Sequence, residues 1–300
     1  MGDRDWVGAA YLERLTAADL RELVRADDVS AAAADAKIQA LRREPGLLLD
    51  VLDRPAVSAS LLSLAGPDVG QRFTLVSPFL VFAAAIHRIA ADLRVSGYAP
   101  ERTTARLRVP VFDGPQLAVY LSQPAHRLFL AELLASFARS SSGVIVTRTS
   151  QGLRRRRWND MDVGKLAMLL NALPEPDRPP VWRRLGDVAL FLTGVFPAAI
   201  ERAVTGRLDP VRLARSTGLQ VPSPDFGPGE LFEWLGAGWY RLAASHAQAA
   251  PGAVSVPALR DNAEHFHQAR RVLNAAADRY LFPVSLDWFG TSRQVGDPRP

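Results

Sequence analysis

The apolar segment of residues 183–197 constrains the fold of this chain more strongly than any other part of the sequence. Its apolar side chains have the spacing of a buried helix, yet the segment contains Gly186 and Gly194. A glycine inside a helix costs about 1 kcal/mol relative to alanine, so two of them indicate close packing against another part of the protein. The sequence therefore predicts a buried helix over residues 181–195 that crosses a second helix at short range.

A second apolar helix, predicted over residues 230–249, is the expected partner of the first. It contains Gly236 and Gly238, which are followed directly by Trp239 and Tyr240. A dinucleotide-binding loop would need a preceding strand and a third glycine, so these two residues are interpreted as packing glycines. We expect all four glycines to lie where the two helices touch.

Three charged residues of the first helix form a candidate polar site. Arg183 and Asp187 are four residues apart and Arg184 is three residues from Asp187, so either arginine can pair with the carboxylate. A buried Asp187 would have to be paired and would fix how the helices meet, and we favour this structural role over catalysis. If these residues instead line a pocket, Trp239 and Tyr240 are its other predicted members.

The rest of the sequence predicts a mainly α-helical, multi-helix globular protein with a small β-strand and hairpin insertion. Helix start signals recur, such as Thr16 with Asp19 three residues later. Residues 73–86 predict a buried core helix, residues 104–111 a strand, and residues 257–281 a last long helix. The regions that we expect are an N-terminal helical region, a strand with a helix pair and a basic hairpin, a C-terminal helical unit and a frayed tail, over residues 1–100, 101–162, 163–285 and 286–300.

A basic β-hairpin is predicted from residues 144–149 and 153–158, with a turn between them. It is the candidate surface for a macromolecular partner, through Arg148, Arg154, Arg155, Arg156, Arg157 and Trp158. Alternate strand residues face opposite ways, so at most two of the four consecutive arginines present to one side, and Arg148 adds a third. The preceding helix, residues 124–137, is rich in leucine and phenylalanine and is interpreted as core, which argues against a winged-helix DNA-binding module.

The charge of the whole chain adds little to this surface. The formal net charge is +5, and the isoelectric point of about 10 is set by arginine, since Lys37 and Lys165 are the only lysines. Arginine hardly titrates, so the isoelectric point overstates how basic the surface is. A GC-rich coding sequence would produce the same preference for arginine, and we favour that origin over selection for nucleic-acid binding.

The chain contains no cysteine, which excludes disulfides and thiolate chemistry and is typical of the reducing cytoplasm. Its first residues lack the pattern of a signal peptide, and its most apolar window is too short to span a membrane. His265 and His267 would point to different sides of a helix, so no metal site is expected. No motif for a cofactor occurs.

Three segments of the C-terminal half together resemble a group of uncharacterised bacterial proteins. They are the Leu-Gly-Asp and Gly-x-Phe motifs of residues 185–187 and 194–196, the glycine-tyrosine segment of residues 235–241, and residues 266–274. The resemblance covers residues 180–280 and implies that these segments form one helical unit. It implies no activity.

These observations favour a non-enzymatic intracellular protein that presents a helical groove or the arginine-rich hairpin to a macromolecular partner. The expected partner is another protein, and the sequence is also compatible with a homo-oligomer. A nucleic-acid-binding regulator is the second hypothesis, and an enzyme or ligand-binding protein with a pocket near Asp187 is the third. The sequence leans away from an enzyme because it lacks phosphate-binding and serine-hydrolase motifs.

Overall fold

The computed structural model describes residues 3–64, 75–103, 107–138, 142–149, 152–159, 162–198, 200, 210–220, 226–246 and 256–283. In these ranges the protein is mainly α-helical with two small two-stranded sheets, which confirms the predicted fold class. None of the helices described is both long and apolar enough to cross a membrane. The predicted hairpin loop residues 150–151, strand residues 104–106 and tail 286–300 lie outside the described residues.

The chain forms two compact units. The first contains residues 1–101, 109–139 and 272–300, and the second contains residues 102–108 and 140–271. The N-terminal helices therefore share a unit with residues 272–283, whereas the basic hairpin and both glycine-containing helices belong to the second unit.

The first unit is built around one long helix. Its elements are α1 (Asp3–Arg14), α2 (Ala17–Ala26), α3 (Ala31–Arg43), α4 (Leu47–Leu52), α5 (Pro55–Leu64), α6 (Pro78–Val95), β1 (Ala99–Arg102), β2 (Arg108–Val111), α7 (Gly114–Ser122) and α8 (Pro124–Ala138). Every side chain from residue 78 to residue 87 is buried, and α5, α7 and α8 all pack against α6. The apolar run at this position is thus the core helix that the sequence predicts.

Two helix starts of the first unit are joined through one carboxylate. Thr16 caps α2, because its Oγ1 accepts from the N–H of Asp19 (3.1 Å) while its own N–H donates to Asp19 Oδ2 (2.8 Å). This reciprocal pair is a capping box. Asp19 Oδ1 also accepts from the N–H of Ser77, the residue that caps α6 (2.6 Å). Asp19 therefore fixes where α2 and α6 begin relative to each other.

The second unit is built around a pair of helices. Its elements are β3 (Ser142–Thr149), β4 (Gly152–Asn159), α9 (Val163–Ala172), a 3-10 turn (Glu175–Asp177), α10 (Pro179–Val195), α11 (Pro210–Ser216), α12 (Pro228–His246), α13 (Val256–Glu264) and α14 (Phe266–Ala276), of which residues 272–276 are assigned to the first unit. The central pair is α10 with α12, and α9 packs on α10 while α13 packs on α12. This pair is the helix crossing that the paired glycines predict.

Two of the four glycines lie at the crossing of α10 and α12. A Cβ added to Gly186 would stand 2.5 Å from the ring of Tyr240, and one added to Gly236 would stand 2.9 Å from Cβ of Ala189. Such distances are too short for any side chain, so the absence of a Cβ is what lets the two helices approach.

The other two glycines, Gly194 and Gly238, are not seen at this crossing. Gly238 is not at the crossing, because a Cβ there would meet Leu219, at 2.8 Å. It follows Gly236 by two residues, which is about 200° around the helix, so the two glycines face different neighbours. Gly194 is buried in α10.

The long helix predicted over residues 257–281 is present with one interruption. His265 separates α13 from α14, and the backbone continues after α14 as a π-helix at Ala277–Leu281. The carbonyl oxygen of Asp261 accepts from the N–H of His265 (2.9 Å), and the carbonyl oxygen of His265 accepts from the N–H of Ala269 (2.9 Å), so helical hydrogen bonds continue on both sides of the interruption. The apolar period continues across the interruption, which explains why periodicity alone predicts a single helix.

Candidate functional site

The basic hairpin is formed by the pairing of β3 with β4. The strands run antiparallel in an unbroken register, from Ser142 opposite Asn159 to Thr149 opposite Gly152. This pairing confirms the hairpin predicted from the sequence, and β4 lies beside α9. Within the described part of the chain the sheet consists of these two strands alone. Its eight-residue strands make a ribbon of about 25 Å in length.

The register distributes the arginine positions over both faces of the ribbon. Residues directly opposite each other share a face, and the two faces alternate along each strand. One face carries positions Arg148, Arg155 and Arg157, and the other carries positions Arg154, Arg156 and Trp158. The ribbon thus offers three arginine positions on one face, and two with a tryptophan on the other.

The hairpin accounts for the entire net charge of the protein. Residues 142–159 contain five arginines and no acidic residue. The whole chain has 36 basic and 31 acidic residues, so the 31 basic residues outside the hairpin balance the 31 acidic ones. The net charge of +5 therefore resides on one narrow ribbon of an otherwise neutral chain. A local concentration of one sign of charge attracts partners of the opposite sign.

Asp187, the centre of the predicted polar site, is buried where α10 meets α12. Its Oδ1 accepts a hydrogen bond from Tyr240 Oη (2.8 Å), and its Oδ2 lies 4.0 Å from Arg183 Nε. Burial raises the pKa of Asp187, against the opposing effects of Arg183, Arg184 and the Tyr240 hydroxyl. The structure thus brings Asp187, Arg183 and Tyr240 together, and the Tyr240 hydroxyl lies closer to the carboxylate than Arg183 Nε does.

Trp239, the other predicted member of this site, belongs to a separate cluster. It is fully buried, and its Nε1 donates to Thr217 Oγ1 (2.8 Å). Trp182 Nε1 donates to the carbonyl oxygen of the same threonine (3.0 Å). Thr217 directly follows α11, so the two tryptophans hold the end of that helix. The polar atom of Trp239 is engaged there and not at Asp187.

A buried polar network in the first unit is absent from the sequence-based predictions. Tyr11 Oη lies 3.1 Å from His87 Nε2, and His87 Nδ1 lies 2.7 Å from Asp53 Oδ1. Arg127 Nη1 donates to the same Asp53 oxygen (2.5 Å), and Arg94 Nη2 lies 3.8 Å from Asp53 Oδ2. These residues come from α1, the end of α4, α6 and α8, so the network joins four helices.

The surroundings of this network fix the charge of each member. Burial lowers the pKa of His87 from 6.5 to about 4, although its hydrogen bond with Asp53 acts in the opposite direction. Burial acts to raise the pKa of Asp53, but hydrogen bonds and charges from His87 and Arg127 hold it well below its usual range. At neutral pH the imidazole is therefore neutral, with Nδ1–H donating to Asp53 and Nε2 accepting from Tyr11.

A carboxylate, an imidazole and a hydroxyl in this order are the groups by which many enzymes activate a nucleophile. Here the hydroxyl belongs to Tyr11, which is 0% exposed, and the imidazole of His87 is also buried. Burial raises the pKa of the Tyr11 hydroxyl, which therefore stays protonated. Because a substrate would have no access to these atoms, the arrangement serves as a polar cross-link between helices.

No local sequence pattern predicts this network. Its bonded pairs are 34, 74 and 76 residues apart, so neither helical spacing nor a short motif brings them together. The only clue in the sequence is the position of His87 and Arg127 inside strongly apolar helices, where a charged or titratable residue needs a partner.

The neutral state of His87 predicts acid sensitivity of the first unit. Because the folded pKa lies below the unfolded one, the stabilisation is complete above pH 6.5 and is lost as the pH falls toward 4. A difference of this size corresponds to about 3 kcal/mol. We expect the free energy of unfolding, measured with urea between pH 7 and pH 4, to fall by that order.

The variant His87→Gln should show a smaller fall in the free energy of unfolding between pH 7 and pH 4, since it lacks the titrating group. The control variant His267→Gln changes a side chain that is 59% exposed, and its free energy of unfolding should fall as much as that of the native protein. A fall of the native size in the His87 variant would contradict a neutral, buried imidazole.

No protein-family model matches this chain, and neither the curated proteins nor the solved structures contain a match. The resemblance carried by residues 180–280 stays a prediction.

Proposed function

We propose that this protein is a non-enzymatic interaction protein whose β3–β4 hairpin binds an acidic surface of a partner protein. The observation that supports this proposal is the location of the net charge, since five arginines and no acidic residue occupy one ribbon of a chain that is otherwise neutral. Arginine suits such a role because its planar guanidinium can donate two parallel hydrogen bonds to a carboxylate. A reducing cytoplasm is the compartment that the cysteine-free sequence favours.

A protein partner is favoured over a nucleic acid by the small number of charges on each face. One face carries three arginine positions. If each of them contacted a phosphate, the logarithm of the binding constant for duplex DNA would fall with the logarithm of the salt concentration with a slope of only about −3. The neutral remainder of the chain adds no long-range attraction. The helix that would act as the recognition helix of a winged-helix module, α8, is buried along most of its length and carries Arg127 in the polar network.

Nucleic-acid binding is the second candidate function, and one feature of the ribbon favours it. A two-stranded ribbon has the width that the major groove of DNA admits. Its second face combines the positions of Arg154 and Arg156 with Trp158, and arginine with an aromatic residue is a combination that binds single strands by charge and stacking.

The pocket hypothesis around Asp187 receives less support. The carboxylate oxygens of Asp187 face Tyr240 Oη and Arg183 Nε of its own chain, so the polar contacts of this aspartate are internal. We propose that Asp187 serves architecture, by setting how α10 and α12 meet.

The partner class can be determined by capture from native lysate with the full-length chain as bait. We expect an acidic protein to be retained by the native chain and lost from the variant Arg155→Ala/Arg157→Ala, because both changes remove charge from the three-arginine face. Treatment with nuclease should leave this capture unchanged. A matched control is Arg42→Ala/Arg43→Ala, which removes two exposed arginines from α3 and should retain the partner.

Two outcomes would overturn the proposal. Capture that survives the hairpin substitutions would place the binding surface elsewhere. Loss of capture after nuclease, together with tight and salt-sensitive binding of purified duplex or single-stranded nucleic acid, would establish the second candidate instead.

A further inference from the structure

The two strands of the hairpin differ in a property that the arginine-binding proposal does not use. β3 reads Ser-Gly-Val-Ile-Val-Thr-Arg-Thr, and its residues 142–147 contain no charged residue and no proline. β4 reads Gly-Leu-Arg-Arg-Arg-Arg-Trp-Asn and carries four consecutive arginines. Charged residues and proline are the features by which proteins protect an exposed strand edge. The edge of β4 is therefore protected by charge, and the edge of β3 is not.

The backbone of β3 leaves one side available for pairing. Among the described residues β3 is paired with β4 alone, so its opposite edge presents a row of N–H and C=O groups to no further strand. Val144, Ile145 and Val146 are β-branched and favour extended structure. A hairpin of two strands is marginally stable in water, and a third strand adds the support that it needs.

We propose that β3 pairs edge to edge with β3 of a second copy of this chain. The resulting dimer has one four-stranded antiparallel sheet, in the order β4, β3, β3 of the second copy, β4 of the second copy. A two-fold axis relates identical edges, so a strand that is compatible with itself suffices to form the interface. This inference is independent of what the arginines bind.

Charge identifies a second copy as the occupant. In a pairing centred on Ile145, Arg148 of each chain stands opposite Ser142 of the other, so no arginine faces another across the interface. The four-arginine strands then lie at the outer edges, about 14 Å apart. Pairing through β4 would instead bring eight arginines together. An acidic partner would be drawn to β4, which leaves the uncharged edge of β3 to its own copy.

The dimer would also present ten arginines on one continuous sheet, twice the number on a single hairpin. Two linked binding surfaces increase the apparent affinity for a partner that contacts both of them. Dimerisation would thus strengthen any binding by the hairpin without a new contact.

Sedimentation of the full-length chain tests this inference. We expect the mass of a dimer for the native protein and of a monomer for Ile145→Lys, because the substitution places two ammonium groups near the two-fold axis. The matched control Leu153→Lys makes the same change on β4 and should remain a dimer. A native protein that is monomeric at its highest soluble concentration would overturn the proposal, as would a dimer that Ile145→Lys leaves intact.

A cysteine scan decides the case if Ile145→Lys fails to fold. The chain has no cysteine, so a single introduced thiol can form a disulfide only with its copy in another chain. Residues opposite each other in an antiparallel pair have Cα atoms within the range that a disulfide spans. We expect rapid cross-linking at the one position among residues 143–147 that lies on the two-fold axis, which is position 145 in the proposed pairing, and none at position 153. Equal cross-linking at position 153 would contradict the proposed interface, and this outcome is separate from whether the arginine variant loses its partner.

Discussion

Replacing Asp53 by alanine is expected to lower the free energy of unfolding of the first unit by about 3 to 5 kcal/mol. Asp53 accepts from Arg127 Nη1 and lies 2.7 Å from His87 Nδ1, so its removal leaves one buried charge and one buried ring without their acceptor. Arg127 is only 3% exposed, and its Nε has no hydrogen-bond partner among the described residues. The buried charge of the Arg127 guanidinium is therefore compensated by Asp53, whereas the charge of a surface arginine is compensated by water.

The same helix provides a control for this prediction. Asp50 forms an ion pair with Arg4, and both side chains are more than half exposed, at 55% and 53%. An exposed pair contributes less than about 1 kcal/mol, so Asp50→Ala should have little effect. Hydrogen exchange followed by mass spectrometry would locate the loss, with faster exchange in α1, α6 and α8 of the Asp53 variant only. Equal effects of the two substitutions would show that the buried network does not hold these helices.

The variant Gly186→Ala should destabilise the second unit by about 3 kcal/mol, near the upper end for overpacked cores. The new Cβ would stand 2.5 Å from Cδ1 and Cε1 of Tyr240. That ring is fully buried and its hydroxyl is bound to Asp187, so it has no free direction in which to move. The expected consequence is a wider separation of α10 and α12 and a weakened bond between Tyr240 and Asp187.

Gly229 is the matched control, since it is an exposed glycine near the start of α12. A Cβ added there would meet nothing within 4 Å, so Gly229→Ala should be neutral or should stabilise by up to about 1 kcal/mol. Chemical denaturation followed by tryptophan fluorescence measures both variants. Stability of Gly186→Ala equal to that of the native protein would contradict the close helix crossing.

The helices and the hairpin could be predicted because each is encoded by neighbouring residues. The apolar run that becomes α6 has Ser77 as its cap and Pro78 in its first turn, and the structure begins the helix there. The strands β3 and β4 follow from two extended segments separated by a short turn. The crossing of α10 and α12 could be predicted because a glycine destabilises a helix, so its presence there indicates close packing.

The polar network could not be predicted for the converse reason. Tyr11, Asp53, His87 and Arg127 are distant in the sequence, and only the packing of four helices brings them together. The same limit applies to Asp187, for which helical spacing suggests Arg183 or Arg184, whereas the hydrogen bond that it accepts from Tyr240 comes from another helix. Periodicity identifies which residues are buried but not which buried polar groups meet.

The most direct test of the central claim is the dissociation constant of the full-length chain for its captured partner. For Arg155→Ala/Arg157→Ala we predict affinity at least about tenfold weaker than that of the native chain, which corresponds to a loss of about 1.4 kcal/mol or more. The control Arg42→Ala/Arg43→Ala has the same change in net charge and should bind as the native chain does. Equal dissociation constants for the native chain and the hairpin variant would contradict the assignment of the hairpin as the binding surface.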